Sequence, residues 1–251
     1  MPVEAAGVRL SALDTDRFGV VTARADEVTK SDVEALLDYC ESHRVELLIA
    51  RSRVEDVAAT NALEDAGCAL MDTLVYYERD LTAGSFEATP SGHIELLGPG
   101  DAEQVEAIAR ECFEDYTGHY HADPRLDRTA CREVYASWAR ACCAGRGADE
   151  FVLVAGDRAN RIGFSCFRRG SPGEGELLLG AVRPNARGQG LYTQLTLAGM
   201  ERLHAAGATR FVTSTHLSNW GAQWAWVRAG LRPYRAYHTF HRWFDRIPST
   251  R

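Results

Sequence analysis

The chain has 251 residues, 28 Lys and Arg against 35 Asp and Glu, a formal net charge of −7 and 45% hydrophobic residues. The acidic balance argues against a nucleic-acid partner held by bulk charge, and the composition is that of an ordinary globular protein with residues enough for a sizeable core. The length admits one large domain or two ordinary ones.

The opening MPVEAAGVRLSALDTD carries acidic residues and no apolar block, so neither a secretory leader nor a transit peptide is expected and the expected location is cytoplasmic. No apolar run approaches the ~20 residues of a membrane-spanning helix, which leaves no membrane partner in prospect. Seven cysteines (Cys40, Cys68, Cys112, Cys131, Cys142, Cys143, Cys166) form an odd set without a CxxC pair. They read as reduced, mostly small core residues rather than a disulfide framework or a zinc site.

Two stretches, 45–81 and 209–244, read alike. In each, an apolar strand-like run passes through polar residues into a helical pattern that stops at Ala-Gly, and a second strand-like run follows. Gly67 and Gly230 stand where a helix C-cap wants a left-handed residue. The pattern predicts two related α/β halves. Between them the small-residue stretch from Thr82 to Gly92 reads as a linker, giving domains at 1–84 and 93–251 with the linker at 85–92. Beyond it, helical periodicity is expected from Gly100 to Tyr116, behind a capping Asp101, and again from Arg132 to Cys143. The segment from Tyr116 to Leu126, rich in polar and aromatic groups and holding Pro124, predicts an exposed loop. Strands follow at 151–155, 162–167 and 176–182, then a helix over 191–205.

Chemistry concentrates where the strand 176–182 runs into Arg183-PNARGQGL-Leu191 and a helix begins. Gly188 and Gly190 allow a tight turn that exposes consecutive N–H groups at a helix N-terminus, a cradle for pyrophosphate, and Arg183 and Arg187 flank it with guanidinium groups suited to phosphate. The loop lacks the Lys-Ser/Thr of a Walker A motif and the third Gly of a dinucleotide fingerprint.

The string Val182-RPNARGQGL-Leu191 resembles the Val-x-Pro-x-x-Arg-Gly-x-Gly loop of the GNAT superfamily of acetyl-CoA-dependent N-acetyltransferases, and Asn219-WGAQWAWVRAGL-Leu231 is similar to that family's Asn-x-x-Ala-x-x-x-Tyr-x-x-x-Gly-Phe helix. The resemblance covers about residues 93–244. It implies an α/β (α+β) GNAT fold, a mixed central sheet flanked by helices, preceded by a smaller degenerate GNAT-like N-terminal domain. It also implies acetyl-CoA as co-substrate. The amides of Arg187, Gly188, Gln189, Gly190, Leu191 and Tyr192 would hold the pyrophosphate, Gly180, Ala181 and Val182 would pair with the pantetheine amides, and Asn219 would contact the same arm, with Trp226 nearby on its helix. Over the whole chain, 13–25, 64–79, 120–126 with 134–138, and 238–243 resemble the two-domain branch that acetylates nucleotide-linked amino sugars, dTDP-fucosamine acetyltransferases among them. The expected acceptor is therefore the amine of such a sugar; another small amine, such as an antibiotic or amino acid, and a catalytically idle acyl-CoA-binding module are the alternatives.

Amine acetylation needs a base, donors for the thioester carbonyl and an acid for the thiolate. Strand alternation puts Glu176 on one face with Leu178, Gly180 and Val182, and the histone-acetylating branch of the superfamily is similar in carrying a catalytic Glu at this spacing, so Glu176 is the expected base through a water. A solvated strand-start carboxylate is the alternative. Trp226 stands where the family often has its acid Tyr, and an indole N–H cannot serve. Tyr192, Tyr234, Tyr237, His238 and His241 are the other candidates, of which Tyr234 better suits the core. His238 and His241, three apart, cannot share a strand face. His119, Tyr120, His121 and Arg125 are read as substrate contacts and no metal is expected, since the two histidines have no third ligand of convincing spacing. Exposed aromatics over 238–244 leave room for a strand-mediated homodimer.

Overall fold

A computed structural model describes residues 7–82, 93–98, 100–145 and 149–245. In chain order the elements are β1 (Arg9–Leu10), α1 (Ala12–Phe18), β2 (Thr22–Ala25), α2 (Val33–Ser42), β3 (Leu47–Arg53), α3 (Val57–Asp65), β4 (Ala69–Asp80), β5 (Ile94–Leu96), α4 (Asp101–Phe113), α5 (His119–Ala122), α6 (Arg128–Cys143), β6 (Glu150–Asp157), β7 (Asn160–Arg169), β8 (Glu174–Val182), α7 (Leu191–Ala205), β9 (Arg210–His216), α8 (Trp220–Arg228) and β10 (Arg232–Trp243). They divide into two compact units. The first takes residues 1–74, 117–131 and 235–251, the second 75–116 and 132–234, so the units interleave along the chain. The expected linker 85–92 lies outside the described residues.

The two similar stretches are built alike. Asp56 caps α3 by accepting the Ala59 N–H, Asn219 caps α8 by accepting the Ala222 N–H, and each nine-residue helix ends at Ala-Gly. Gly67 and Gly230 have φ of 80° and 79°, the left-handed region that a residue with a Cβ avoids.

In the first unit β2 runs parallel to β3 and β10 antiparallel to it. Ala23, Ala25, Leu48, Ala50 and Phe240 form an apolar face that packs on Leu36 and Cys40 of α2 and Leu63 of α3. The register places Arg24, Ile49, Arg51, Thr239 and His241 on the opposite face, which is mostly polar. β10 is not a free edge: it pairs with β3 over Tyr237–Trp243, and Thr73 of β4 bonds His238 on its other side. Phe240 and His241 are buried, so the expected exposed strand offers no basis for a dimer. The expected exposed loop is also corrected. His119 and Tyr120 lie in the short helix α5 and are buried, as are Asp123 and Leu126, because polar partners described below satisfy the polar groups among them.

In the second unit β5, β6, β7 and β8 are antiparallel neighbours and β9 joins β8 in parallel. Val105, Ile108 and Phe113 of α4 and Ala139 and Cys142 of α6 pack on Val152, Val154, Phe164, Cys166, Leu179 and Ala181 of the sheet. Gly199 of α7 admits the ring of Phe167. Asp101 does not cap α4; Gly100 holds that position without a side-chain bond. Asp101 is instead buried, bonding Arg161 Nε at 2.9 Å and the Gly98 N–H at 2.7 Å, and Glu95 also pairs with Arg161. The seven cysteines are free thiols, five of them buried. Among the described residues no helix is long and apolar enough to cross a membrane.

Candidate active site

The predicted coenzyme residues all fall in the second unit. β8 is paired with β7 along its length, through Ser165↔Gly180, Phe164↔Ala181 and Gly163↔Val182. With β9 the ladder starts at Glu174↔Arg210 and, among the described residues, runs no further than Leu177↔Thr213. Gly180 and Ala181 therefore lie beyond the point where β9 parts from β8, and among the described residues their edge on that side pairs with no strand. Main-chain groups left unpaired at such a split are suited to the amides of an extended ligand arm.

The loop follows at once. Pro184–Ala186 make one 3-10 turn, Arg187 is extended, and Gly188 and Gly190 take φ of 79° and 76°. Gly190 is the N-cap of the fifteen-residue α7 and supplies no side-chain cap. The first-turn N–H groups are thus not covered by a capping side chain, while the loop from Arg187 to Gly190 is exposed. This fits a pyrophosphate. A Cβ at Gly188 would meet nothing within 4 Å, so the glycine serves backbone conformation there. Arg187 is exposed, with Nε donating to the Val182 carbonyl at 3.1 Å. Arg183 is otherwise engaged: its Nε donates to the Arg161 carbonyl and its Nη1 pairs with Glu111.

Glu176 sits in the paired part of β8, directly across from Arg168, whose Nη2 is 2.5 Å from its carboxylate. Tyr192 packs against Gly180, where a Cβ would come within 2.8 Å of the ring. Burial drives its phenol well above the ordinary value, the Trp226 indole N–H opposing only in part, so Tyr192 stays protonated at neutral pH. Trp226 itself is core, tilted against Tyr77 and Tyr192, whereas Trp220 and Trp224 are exposed. Asn219 spends its amide on structure, with Nδ2 donating to Thr215 Oγ1 at 2.9 Å and Oδ1 capping α8.

Tyr116 and His216, which the sequence did not single out, lie side by side in the second unit. Their rings meet edge-to-face at 4.5 Å, and His216 ends β9 beyond the split. Only contact across a hundred residues joins Tyr116 to His216, and no local pattern signals it.

The remaining candidates belong to the first unit. His238 bonds Thr73 Oγ1 at 2.9 Å and, as its spacing requires, faces away from His241. Tyr237 donates to Glu27 at its hydroxyl, and Arg125 stacks over Trp243 at 4.3 Å while pairing with Asp245. Tyr120 donates to Asp14 at 2.7 Å, and Arg24 also bonds both of these residues. His119 and His241 are hydrogen-bonded to each other at 2.9 Å. Among the described residues no three His, Cys, Asp or Glu side chains are grouped to hold a metal.

The family model for the acetyltransferase (GNAT) family matches residues 103–230. The spore coat polysaccharide biosynthesis protein SpsD of Bacillus subtilis (strain 168) is 25% identical over 218 residues, which cover 84% of this chain and 71% of that protein. Among solved structures, the GCN5-related N-acetyltransferase from Sphaerobacter thermophilus superposes with a TM-score of 0.65 at 14% identity, covering 94% of this chain and 76% of that one. A tandem GNAT protein from the clavulanic acid biosynthesis pathway superposes with a TM-score of 0.61 at 18% identity, covering 91% and 77%. The likeness in structure is one of fold. Since the family model covers residues 103–230, half of the chain, and takes in the split strands, the glycine loop and the helix after it, the protein belongs to the acetyltransferase (GNAT) family.

Proposed function

We propose that the chain transfers the acetyl group of acetyl-CoA to the amine of a nucleotide-linked amino sugar. The observation that carries the acyl-transfer part is the parting of β9 from β8 at Leu177↔Thr213, immediately before the uncapped glycine loop. That geometry offers one arm of main-chain groups at Gly180–Val182 and one anion cradle at Arg187–Tyr192, in the order a pantetheine and a pyrophosphate require. Tyr192, held protonated by burial, would donate a hydrogen bond to charge that develops on sulfur. Proton removal from the amine falls to Glu176 through a water, with Arg168 paired to its carboxylate. The sugar acceptor is supported by the motifs shared with the nucleotide-sugar branch and by the polysaccharide role in the name of SpsD. The N-terminal half, 1–84, is read as a degenerate repeat of the same fold, since its strand, Asx-capped helix and Ala-Gly stop repeat those of 209–244.

Purified protein with acetyl-CoA, a panel of nucleotide-linked amino sugars and a panel of free amines, followed by mass spectrometry, tests this. Acetylation confined to the nucleotide sugars is expected. Acetylation of free amines alone would overturn the acceptor, and binding of acetyl-CoA without any acetylated product would favour an acyl-CoA-binding module.

A further inference from the structure

Helix α8 has two faces, and both are apolar. Gln223, Ala225 and Trp226 turn inward and are buried. Leu217, in the turn before the helix, and Trp220, Trp224 and Val227 on it are 48%, 55%, 61% and 55% exposed. Spacings of three, four and three residues set these four in one stripe along the outward face. No charged residue occurs from Leu217 to Val227.

The fold does not call for this stripe. Helix α3 is built on the same plan, from an Asx cap at Asp56 to an Ala-Gly stop, and at the places of Trp220, Trp224 and Val227 it has Val57, Asn61 and Glu64. Asn61 and Glu64 are exposed, as polar side chains on the outer face of a helix normally are. Single apolar residues scattered over a surface need no explanation, but a contiguous patch does. For side chains of these types the exposures leave about 450 Å² of apolar surface in the stripe, comparable to the largest patch on a typical monomer, which is commonly an interaction site.

The order of spacings is the same read from either end of the stripe. A two-fold axis across the middle of α8 therefore sets two copies antiparallel, with Trp220 against the partner's Trp224 and Leu217 against the partner's Val227, each contact occurring twice. Two such stripes remove about 900 Å² from water, and a modest rim brings the total to the about 1,200 Å² where stable interfaces begin. Ser218, Gly221 and Arg228, all exposed, stand beside the stripe to supply that rim. Arg228 follows the stripe at one end, so the axis keeps the two guanidinium groups at opposite ends of the contact. A charge-poor centre holding Trp is the composition of an interface core, and Trp is the residue that most often carries its binding energy. A lipid surface suits the stripe less. The chain carries a net charge of −7 and Arg228 is the only cation within ten residues of Trp224 on either side apart from His216, Arg232 and Tyr234's neighbour Arg232 itself being the next along the chain, whereas helices that lie on membranes line their polar face with Lys and Arg.

We propose that the outward face of α8 is the interface of a homodimer, in which two copies of this chain meet antiparallel through Leu217, Trp220, Trp224 and Val227. The contact lies wholly on the second unit and does not depend on which acyl group or acceptor the chain takes.

Sedimentation equilibrium of the full chain at micromolar concentration should give twice the 27.7 kDa of one chain. Trp224→Asn with Val227→Glu gives α8 the outer residues that α3 has, and it removes a central indole from both halves of the contact. This variant should sediment as a monomer with an unchanged circular dichroism spectrum, its dimerisation weakened by about 100-fold or more. Val57→Glu on α3 should leave the dimer intact. The unmodified protein gives a second reading. Diluting the dimer returns Trp220 and Trp224 to water and should move the tryptophan emission to longer wavelength, a shift that the already monomeric double variant should lack. A parent chain that is monomeric at about 100 µM overturns the proposal, as does a dimer that keeps its mass in the double variant or loses it with Val57→Glu. A monomer that floats with vesicles of phosphatidylcholine and phosphatidylglycerol assigns the stripe to a membrane and overturns it too.

Discussion

Replacing Gly199 by Ala should destabilise the protein even though alanine is the better helix former. Gly199 lies inside α7, and a Cβ there would sit 2.1 Å from both Cε1 and Cζ of Phe167. Carbon atoms in contact prefer about 3.5–4.0 Å, so the ring must withdraw by well over an ångström. It has little room. Phe167 is fully buried, stacked on Phe151 at 5.1 Å and tilted against Phe211 at 6.4 Å. Overpacking costs about 1–3 kcal/mol and the depth of this clash calls for the upper end, while removing glycine from a helix interior returns about 1 kcal/mol. The net loss is about 2 kcal/mol, which for a protein of this size is a Tm lower by about 4–8 °C. Calorimetry or urea unfolding of Gly199→Ala reads it directly. The double variant with Phe167→Leu isolates the cause, because in the Leu background the alanine should cost less than about 0.5 kcal/mol. A Gly199→Ala protein that melts at or above the parent temperature refutes the packing argument.

Removing Asp101 should be costly in another way, since Asp101→Ala takes the Nε partner from the buried Arg161, which is 1% exposed; a loss of about 3–5 kcal/mol in chemical unfolding is expected, and one below about 1 kcal/mol would mean that Glu95 and the Gly156 carbonyl satisfy the guanidinium. In Gly188→Ala the exposed, unbound loop should relax away from the left-handed φ of 79°, which keeps the melting temperature close to the parent's and leaves the about 1–2 kcal/mol cost of a left-handed alanine to the bound loop. Calorimetric titration should then show acetyl-CoA binding weakened about 5–30-fold, and unaltered affinity would remove Gly188 from the cradle. Asp14 gives an acid-stability signature. Burial raises its pKa, but Arg24, Ser11 and Tyr120 prevail and bring it from 3.8 down to about 2. A lowered folded value stabilises above the unfolded pKa and loses that contribution as pH falls through the folded one. About 2 kcal/mol should therefore be present at neutral pH and fade between about pH 4 and 2. The stability gap between the parent and Asp14→Asn should close over that range, and a gap that stays constant would contradict the assignment.

What could be read from the chain was local. The helix over 191–205, the turn through Gly188 and Gly190, and the Ala-Gly stops at Gly67 and Gly230 depend on neighbours a few residues away, and the structure has them at those places. Strand alternation likewise put Glu176, Leu178 and Gly180 on the less buried face of β8. It could not reveal that Glu176 faces Arg168, which only the β7–β8 register decides. Asp101 looked like a cap because the residue type and position suit one, and its buried partner lies sixty residues away. The segment 116–126 looked exposed for the same reason. Its polar groups suggested water, but Asp123 and His119 are satisfied by His241, which is 118 and 122 residues distant. Composition shows that such groups need partners and does not name them.

The interleaving of the units bears on the order in which the protein is made. The central strand β3 of the first unit has β2 on one side, synthesised before it, but its other neighbour is β10, which closes at Trp243. Phe240, from that last strand, fills the core formed by α2 and α3. While a ribosome is still translating residues 75–234, the first unit thus lacks a strand and a core side chain, and one flank of β3 is open to pairing with other chains. The second unit is made of residues that are nearly all complete before β10 emerges. The N-terminal portion of the chain is therefore the last to become native, and a fragment ending near residue 92 lacks both 117–131 and the C-terminal strand that complete its unit.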